Sequence, residues 1–235
     1  WIVRYNEGTG EQIKWVNTEG SPLGLVFDKE DNLLIADAYK GLLKVTPSGE
    51  LSVLTRSVNG TDIDYADDLD ITADGKIYFS DASTKFGAHM GGTYAASLLD
   101  TMEHGGHGRL LVYDPIDEST KILMDGLNFA NGVAADANSE FILVNETGGY
   151  RIHKYWLKGP KTGQSDVLID NLPGFPDNIV RGRDGRFWVG LVSPRSKALD
   201  NLSSSPILRK VVQRLPAFMR PQAVPYSHVF AMNGE

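Results

Sequence analysis

Four stretches of the chain share one pattern of apolar and polar positions. Each is a short strand-like run, a polar turn and a second run rich in β-branched and aromatic residues. They align without gaps: residues 24–37 (GLVFDKEDNLLIAD), 68–81 (DLDITADGKIYFSD), 132–145 (GVAADANSEFILVN) and 178–191 (NIVRGRDGRFWVGL). Asp74-Gly75 and Asp184-Gly185 occupy two of the turns, and Asp-Gly between apolar runs is a strong hairpin signal. Further alternating stretches fill the gaps, at 41–55, 108–124 and 150–169, and read as outer strands. Residues 1–16 read as the outer pair of a preceding unit, and 227–235 as an outer strand cut short.

Successive hairpins start 44, 64 and 46 residues apart. Four-stranded propeller blades repeat at about 40–50 residues. The pattern therefore predicts an all-β chain, a β-propeller of which about four blades and some flanking strands are present. A β-sandwich is the alternative, but it does not require this period. Because a closed ring protects sheet edges, the expectation is a single propeller domain over 1–235 that is truncated at both ends. The long 64-residue step carries an insertion, and two insertions are expected over one face, at 83–108 and 192–222. Residues 94–102 and 206–219 have helical spacing within them. Both suit loop packing or a lid over the channel mouth. The second carries Arg209, Lys210, Arg214 and Arg220 beside Leu208, Val211, Val212, Leu215 and Phe218, so contact of 206–220 with a membrane surface is a further expectation.

Composition narrows the chemistry. With 41% hydrophobic and 23% charged residues the chain is ordinary for a globular domain. A net charge of −7, without a basic stripe, argues against nucleic acid as a partner. The absence of cysteine removes disulfides, thiolate metal sites and cysteine nucleophiles. No apolar run reaches the 18 or so residues that span a bilayer, and the compartment stays open. Asn59, Asn145 and Asn201 fit the glycosylation pattern, although Asn145 is expected in a strand.

The residue before each aligned hairpin is Leu23, Asp67, Asn131 and Asp177 in turn, and the next positions add Asp68 and Asn178. Equivalent positions in successive blades lie on a circle about the axis. Carboxylate and amide oxygens converging from separate strands suit a hard cation, above all Ca2+. Without one, Asp67, Asp68 and Asp177 would repel one another in a poorly solvated funnel, which a metal or a salt bridge must relieve. The plainer reading is that Asp and Asn begin strands as turn residues. His104 and His107, in a glycine-rich stretch, are weaker metal candidates, and Glu146 is a weaker candidate to reach the channel.

The stretches NFANGVA (128–134) and GFPDNI (174–179) resemble the six-bladed, calcium-dependent paraoxonases and SMP-30/gluconolactonases. The segment 152–190, with ADAYKGL (36–42) and IYFSDAST (77–84), is more similar to the strictosidine synthase-like branch that includes adipocyte plasma membrane-associated protein. The resemblance covers nearly the whole chain and implies a six-bladed propeller. It implies that Asn131, Asp177 and Asn178 are calcium ligands and that Asp68 is the Asp of an Asn-Asp pair. Asp67 stands where those families usually have Asn, which keeps the oxygen and adds charge. The family's glutamate ligand lies in a first blade that this sequence does not show. The implied activity is hydrolysis of a small ester or lactone, with the cation polarising the carbonyl and Asp177 as a candidate base. The histidine pair of paraoxonases is missing, and the catalytic glutamate of strictosidine synthase would fall beyond residue 235. A non-catalytic binding propeller with a structural metal and an amine–aldehyde condensing enzyme are the alternatives.

Overall fold

The computed structural model describes every residue except Pro221, Gln222 and Glu235. The chain opens with a hairpin of β1 (Ile2–Tyr5) and β2 (Gln12–Val16). Blade I follows as β3 (Pro22–Phe27), β4 (Leu33–Asp37), β5 (Gly41–Val45) and β6 (Leu51–Thr55). A two-residue-strand hairpin, β7 (Ser57–Val58) and β8 (Thr61–Asp62), leads to blade II. That blade comprises β9 (Ala66–Ile71), β10 (Ile77–Asp81), β11 (Gly108–Asp114) and β12 (Ser119–Leu127). Blade III is β13 (Ala130–Ala135), β14 (Phe141–Glu146), β15 (Arg151–Trp156) and β16 (Ser165–Ile169). Blade IV has three strands, β17 (Gly174–Arg181), β18 (Phe187–Pro194) and β19 (His228–Met232). Every sheet is an antiparallel meander, as the propeller reading requires.

The core lies between blades. Leu34, Ala36 and Leu42 of blade I meet Leu69, Ile77 and Phe79 of blade II. Leu110 and Val112 meet Val133, Ile142 and Val144 across the next interface, and Leu143 and Ile152 meet Ile179, Phe187 and Val189 across the last. Full burial of each large apolar side chain contributes roughly 1.5–3 kcal/mol, so the blades hold one another rather than folding as separate sheets. The β1–β2 hairpin packs Ile2 and Val16 on Leu33, Ile35 and Leu43, the position expected of a preceding outer pair.

The four hairpin turns share one left-handed position, occupied by Asp31 (φ 60°), Gly75 (φ 86°), Ser139 (φ 53°) and Gly185 (φ 79°). Glycine takes that conformation without strain, which is why Asp-Gly marked two of the turns. The other two reach it with a short polar side chain.

The expected helices form. Thr93–Glu103 is α1, between β10 and β11. Lys197–Asn201 (α2) and Pro206–Gln213 (α3) lie between β18 and β19. The expectation of one helical run over 206–219 is corrected: α3 stops at Gln213, and a short 3-10 turn, Ala217–Met219, follows Pro216. Proline cannot supply the helical N–H that continuation would need. Both helical insertions connect the second strand of a blade to the third, so they share the face on which the first strands begin. No helix among the described residues is long and apolar enough to cross a membrane.

Candidate axial site

The first strands of neighbouring blades lie side by side, β3 by β9, β9 by β13 and β13 by β17. Each pairs irregularly with its own second strand at the same point. Asp67 and Asp68 stand against Ser80 alone, Asn131 and Gly132 against Asn145, and Asp177 and Asn178 against Gly190, while Leu23 is the extra residue in blade I. These are β-bulges, which re-aim side chains at strand ends. Every predicted ligand sits in one.

The bulges sort the predicted residues into two groups. Asp67, Asn131 and Asp177 come together. The Asn131 side-chain Nδ2 donates to Asp177 Oδ1 at 2.7 Å, and its own Oδ1 is buried without a donor. Asp67 is 8% exposed, and no hydrogen bond reaches its carboxylate among the described residues. Burial, then the Asp177 charge, then the Asp68 charge push the Asp67 carboxyl well above the usual range. Burial also raises Asp177, against the Asn131 hydrogen bond.

Asp68 and Asn178 form the second group. Asp68 Oδ2 accepts from Val133 N–H at 3.0 Å and Oδ1 from Leu69 N–H at 3.0 Å, and the Asn178 side chain also bonds to it. Burial pushes Asp68 up to about 6. Gly132 permits this arrangement. A Cβ there would meet Asp177 O and Ile179 N at 2.5 Å, so the blades could not approach as they do. Asp68 therefore ties blade II to blade III.

Sequence reasoning missed two residues beside the first group. Asn145 is fully buried and donates to Asp177 O at 2.5 Å, and its Oδ1 lacks a partner. That burial removes it as a glycosylation acceptor in the folded chain. Tyr65 donates its hydroxyl to Thr93 O at 2.8 Å, at the start of α1, and burial, with Asp67 next, raises its pKa. The aligned segment ended at Asn145, and Tyr65 lies just ahead of Asp67. Their positions were legible but their directions were not.

The other candidates lie elsewhere. His104 Nδ1 accepts from Asn128 Nδ2, and His107 faces Glu103 at 3.3 Å. Glu146 accepts from Asn128 N–H, Arg151 and His153, at 3.0, 2.6 and 2.5 Å. Burial works to raise Glu146, but those bonds together hold it down to about 2. It is a structural residue, not an axial one. A cavity of about 790 Å³ opens at the opposite end of the strands, lined by Asp28, Ala73, Asp136 and Arg181 among others.

Among the described residues no three His, Cys, Asp or Glu side chains gather as a metal site by themselves. The axial donor set is mixed, two carboxylates and an amide oxygen. Its orphaned Asn131 oxygen, undonated Asp67 carboxylate and the raising of Asp67 by the Asp177 charge fit a hard cation, which accepts oxygen ligands of either kind. Calcium takes six to eight oxygens, so further ligands are needed beyond these three.

Comparison with known proteins agrees with the fold. Residues 67–160 match the family model described as Strictosidine synthase. The chain is 42% identical over 214 residues to the Arabidopsis thaliana protein STRICTOSIDINE SYNTHASE-LIKE 13, covering 90% of this chain and 51% of the relative. It is 38% identical over 223 residues to human adipocyte plasma membrane-associated protein, covering 91% and 52%. The chain thus spans about half the length of these relatives. Among solved structures, a gluconolactonase from Xanthomonas campestris aligns with a TM-score of 0.65 at 17% identity, covering 81% of this chain and 62% of that one. Regucalcin from Agrobacterium tumefaciens, a calcium-binding protein, aligns at 0.59 and 14%, covering 80% and 59%. At those identities the likeness establishes the propeller fold. Over the half of their length that it spans, the chain is similar to the strictosidine synthase-like proteins and to the adipocyte plasma membrane-associated proteins, and its residues 67–160 match the Strictosidine synthase family model.

Proposed function

We propose that the axial cluster holds a calcium ion and that the protein hydrolyses a small ester or lactone on the face where the first strands begin. The observation that carries this is the buried, donor-less Asn131 Oδ1 beside the buried Asp67 carboxylate and the half-buried Asp177 carboxylate, whose charge raises the Asp67 pKa. Asp67, Asn131 and Asp177 would hold the ion, and Asp68 and Asn178 would brace them from the adjoining bulge positions. A hard cation there supplies polarisation of a carbonyl and stabilisation of the oxyanion that develops. Asp177 is the candidate base. Its Oδ1 is engaged by Asn131, and its raised pKa suits it to take a proton from water. Asn131 orients that carboxylate.

The test is calcium titration by calorimetry on the full-length protein, with ester and lactone turnover measured with and without chelator. Binding is expected to be lost in Asn131→Ala, and turnover to vanish with chelator. No binding by the wild type would overturn the cation site. Binding without turnover on any ester or lactone would support a structural metal instead. The family model also favours a condensing reading.

We also propose that the α3 region contacts an anionic lipid surface. Ile207 is 78% exposed and Phe218 85%, with Leu208, Val211 and Met219 exposed near them and Lys210 and Arg214 alongside. Apolar anchors flanked by cations fit that surface. The full-length protein should sediment with phosphatidylserine-containing vesicles, and Ile207→Glu with Phe218→Glu should weaken this at least tenfold. Unchanged sedimentation would sink the idea.

A further inference from the structure

A second polar cavity, about 290 Å³, lies on the same face between α1, α2, α3 and the β14–β15 turn. Three guanidinium groups line it, those of Arg151, Arg195 and Arg209. Their partners show what is left for a ligand.

Arg209 is 3% exposed and makes no ion pair among the described residues. Its Nε donates to Leu202 O, one terminal nitrogen to Thr101 O and Met102 O, and the other to Leu199 O. All four acceptors are neutral carbonyls. They join α1 to the blade IV insertion but do not cancel the charge, and a buried, unpaired cation is costly. Arg195 donates to Asp200 at 3.1 Å and to Asn171, and stacks over the Tyr150 ring at 4.3 Å. Arg151 is bound by Glu146 through Nε and one terminal nitrogen. A guanidinium carries five N–H donors, so each of the three keeps at least one unused.

The charge count decides what fits. Three arginines stand against two carboxylates bonded to them, Asp200 and Glu146, while Asp170, the weakest influence on Arg151, is exposed to solvent, so the contacts around the cavity hold one positive charge in excess. A wall of the cavity is aromatic, with the Tyr150 and Phe175 rings 4.7 Å apart. One excess charge matches a monoanion rather than a dianionic phosphate, and the forked donors of arginine match a carboxylate.

We infer that this cavity binds the carboxylate of a small organic acid whose apolar body lies against Tyr150 and Phe175. The site is separate from the axial cluster and does not depend on the hydrolase reading. Phe175 precedes Asp177 by two residues on β17, so the two openings are neighbours on one face.

The test is titration of the full-length protein with sodium benzoate, with benzamide as the neutral control of the same shape and inorganic phosphate as the other anion. Benzoate should bind and shift the ring proton resonances of Tyr150 and Phe175, and benzamide should not. Arg195→Gln should weaken benzoate at least tenfold. Arg195 is partly exposed, and the wild-type resonance shifts need no variant. Equal binding of benzamide, no shift at either ring, or unchanged affinity in Arg195→Gln would each overturn the site. Tighter binding of phosphate than of benzoate would overturn the carboxylate assignment.

Discussion

Replacing Asp81 by alanine is expected to destabilise the protein by about 3–5 kcal/mol, the usual cost of breaking a buried ion pair from one side. Asp81 is fully buried. Its Oδ2 accepts from Arg109 Nε at 2.9 Å and from a terminal nitrogen at 2.5 Å, and its Oδ1 accepts from Tyr65 N–H at 3.2 Å. Arg109 is 5% exposed and, among the described residues, otherwise reaches only Asp62 O. Without Asp81 the guanidinium keeps its charge and loses both solvent and partner. A buried pair commonly adds little net energy over apolar residues of similar volume, and burial raises the Asp81 pKa in spite of the Arg109 charge. The double variant Asp81→Leu with Arg109→Met should therefore regain most of what Asp81→Ala loses. Chemical denaturation of the three variants closes this cycle. A loss below about 1 kcal/mol for Asp81→Ala would show that water or a shifted side chain reaches Arg109.

The same device recurs around the ring. Asp37 in blade I accepts from Ser21 N–H, Asp81 in blade II from Tyr65 N–H, and Glu146 in blade III from Asn128 N–H. Each acid ends a second strand and fixes the chain as it enters the first. The cation opposite it differs. Arg109 is sealed in, Arg151 is partly exposed, and Asp37 makes no ion pair among the described residues. The same substitution should therefore cost less in blade III than in blade II, because solvent takes up part of the stranded charge.

This repeat also shows what the amino-acid sequence reveals and what it conceals. Blade boundaries were legible because Asp-Gly turns and alternating apolar positions are local signals. The position of Asp67, Asn131 and Asp177 on one circle was legible for the same reason. What two adjacent residues do was not. Asp67 and Asp68, or Asp177 and Asn178, were indistinguishable as ligands on paper. A bulge sends one toward the axis and the other toward the neighbouring blade, and a bulge is a property of pairing between strands rather than of either strand alone. Glu146 was misjudged similarly. A lone acid after a hairpin carries no sign of the Arg151 and His153 that engage it.

Removing the charge of Asp100 should flatten the pH dependence of stability. Asp100 lies on α1, fully buried, with Oδ2 accepting from Ser83 Oγ at 2.5 Å and Oδ1 without a partner. Burial lifts its pKa to about 7, with Glu103 adding to the rise and Ser83 and Lys85 opposing it. The unfolded chain has the ordinary value near 4. Between these values the folded protein binds a proton that the unfolded one does not, so stability falls as pH rises. The contribution is complete below about 4 and lost through about 7. Three units correspond to at most about 4 kcal/mol. Asp100→Asn keeps an acceptor for Ser83 and cannot ionise. It should match the wild type near pH 4 and exceed it at pH 8 by a large part of that amount. Because α1 is an insertion, it can detach before the blades unfold, so amide exchange in Thr93–Glu103 is the measurement to pair with denaturation. Asp67 and Asp68 tilt the wild-type curve in the same direction, and the difference between wild type and Asp100→Asn isolates Asp100 from them. Parallel profiles for the two proteins would mean that the carboxylate ionises without strain, through water at the unpartnered Oδ1.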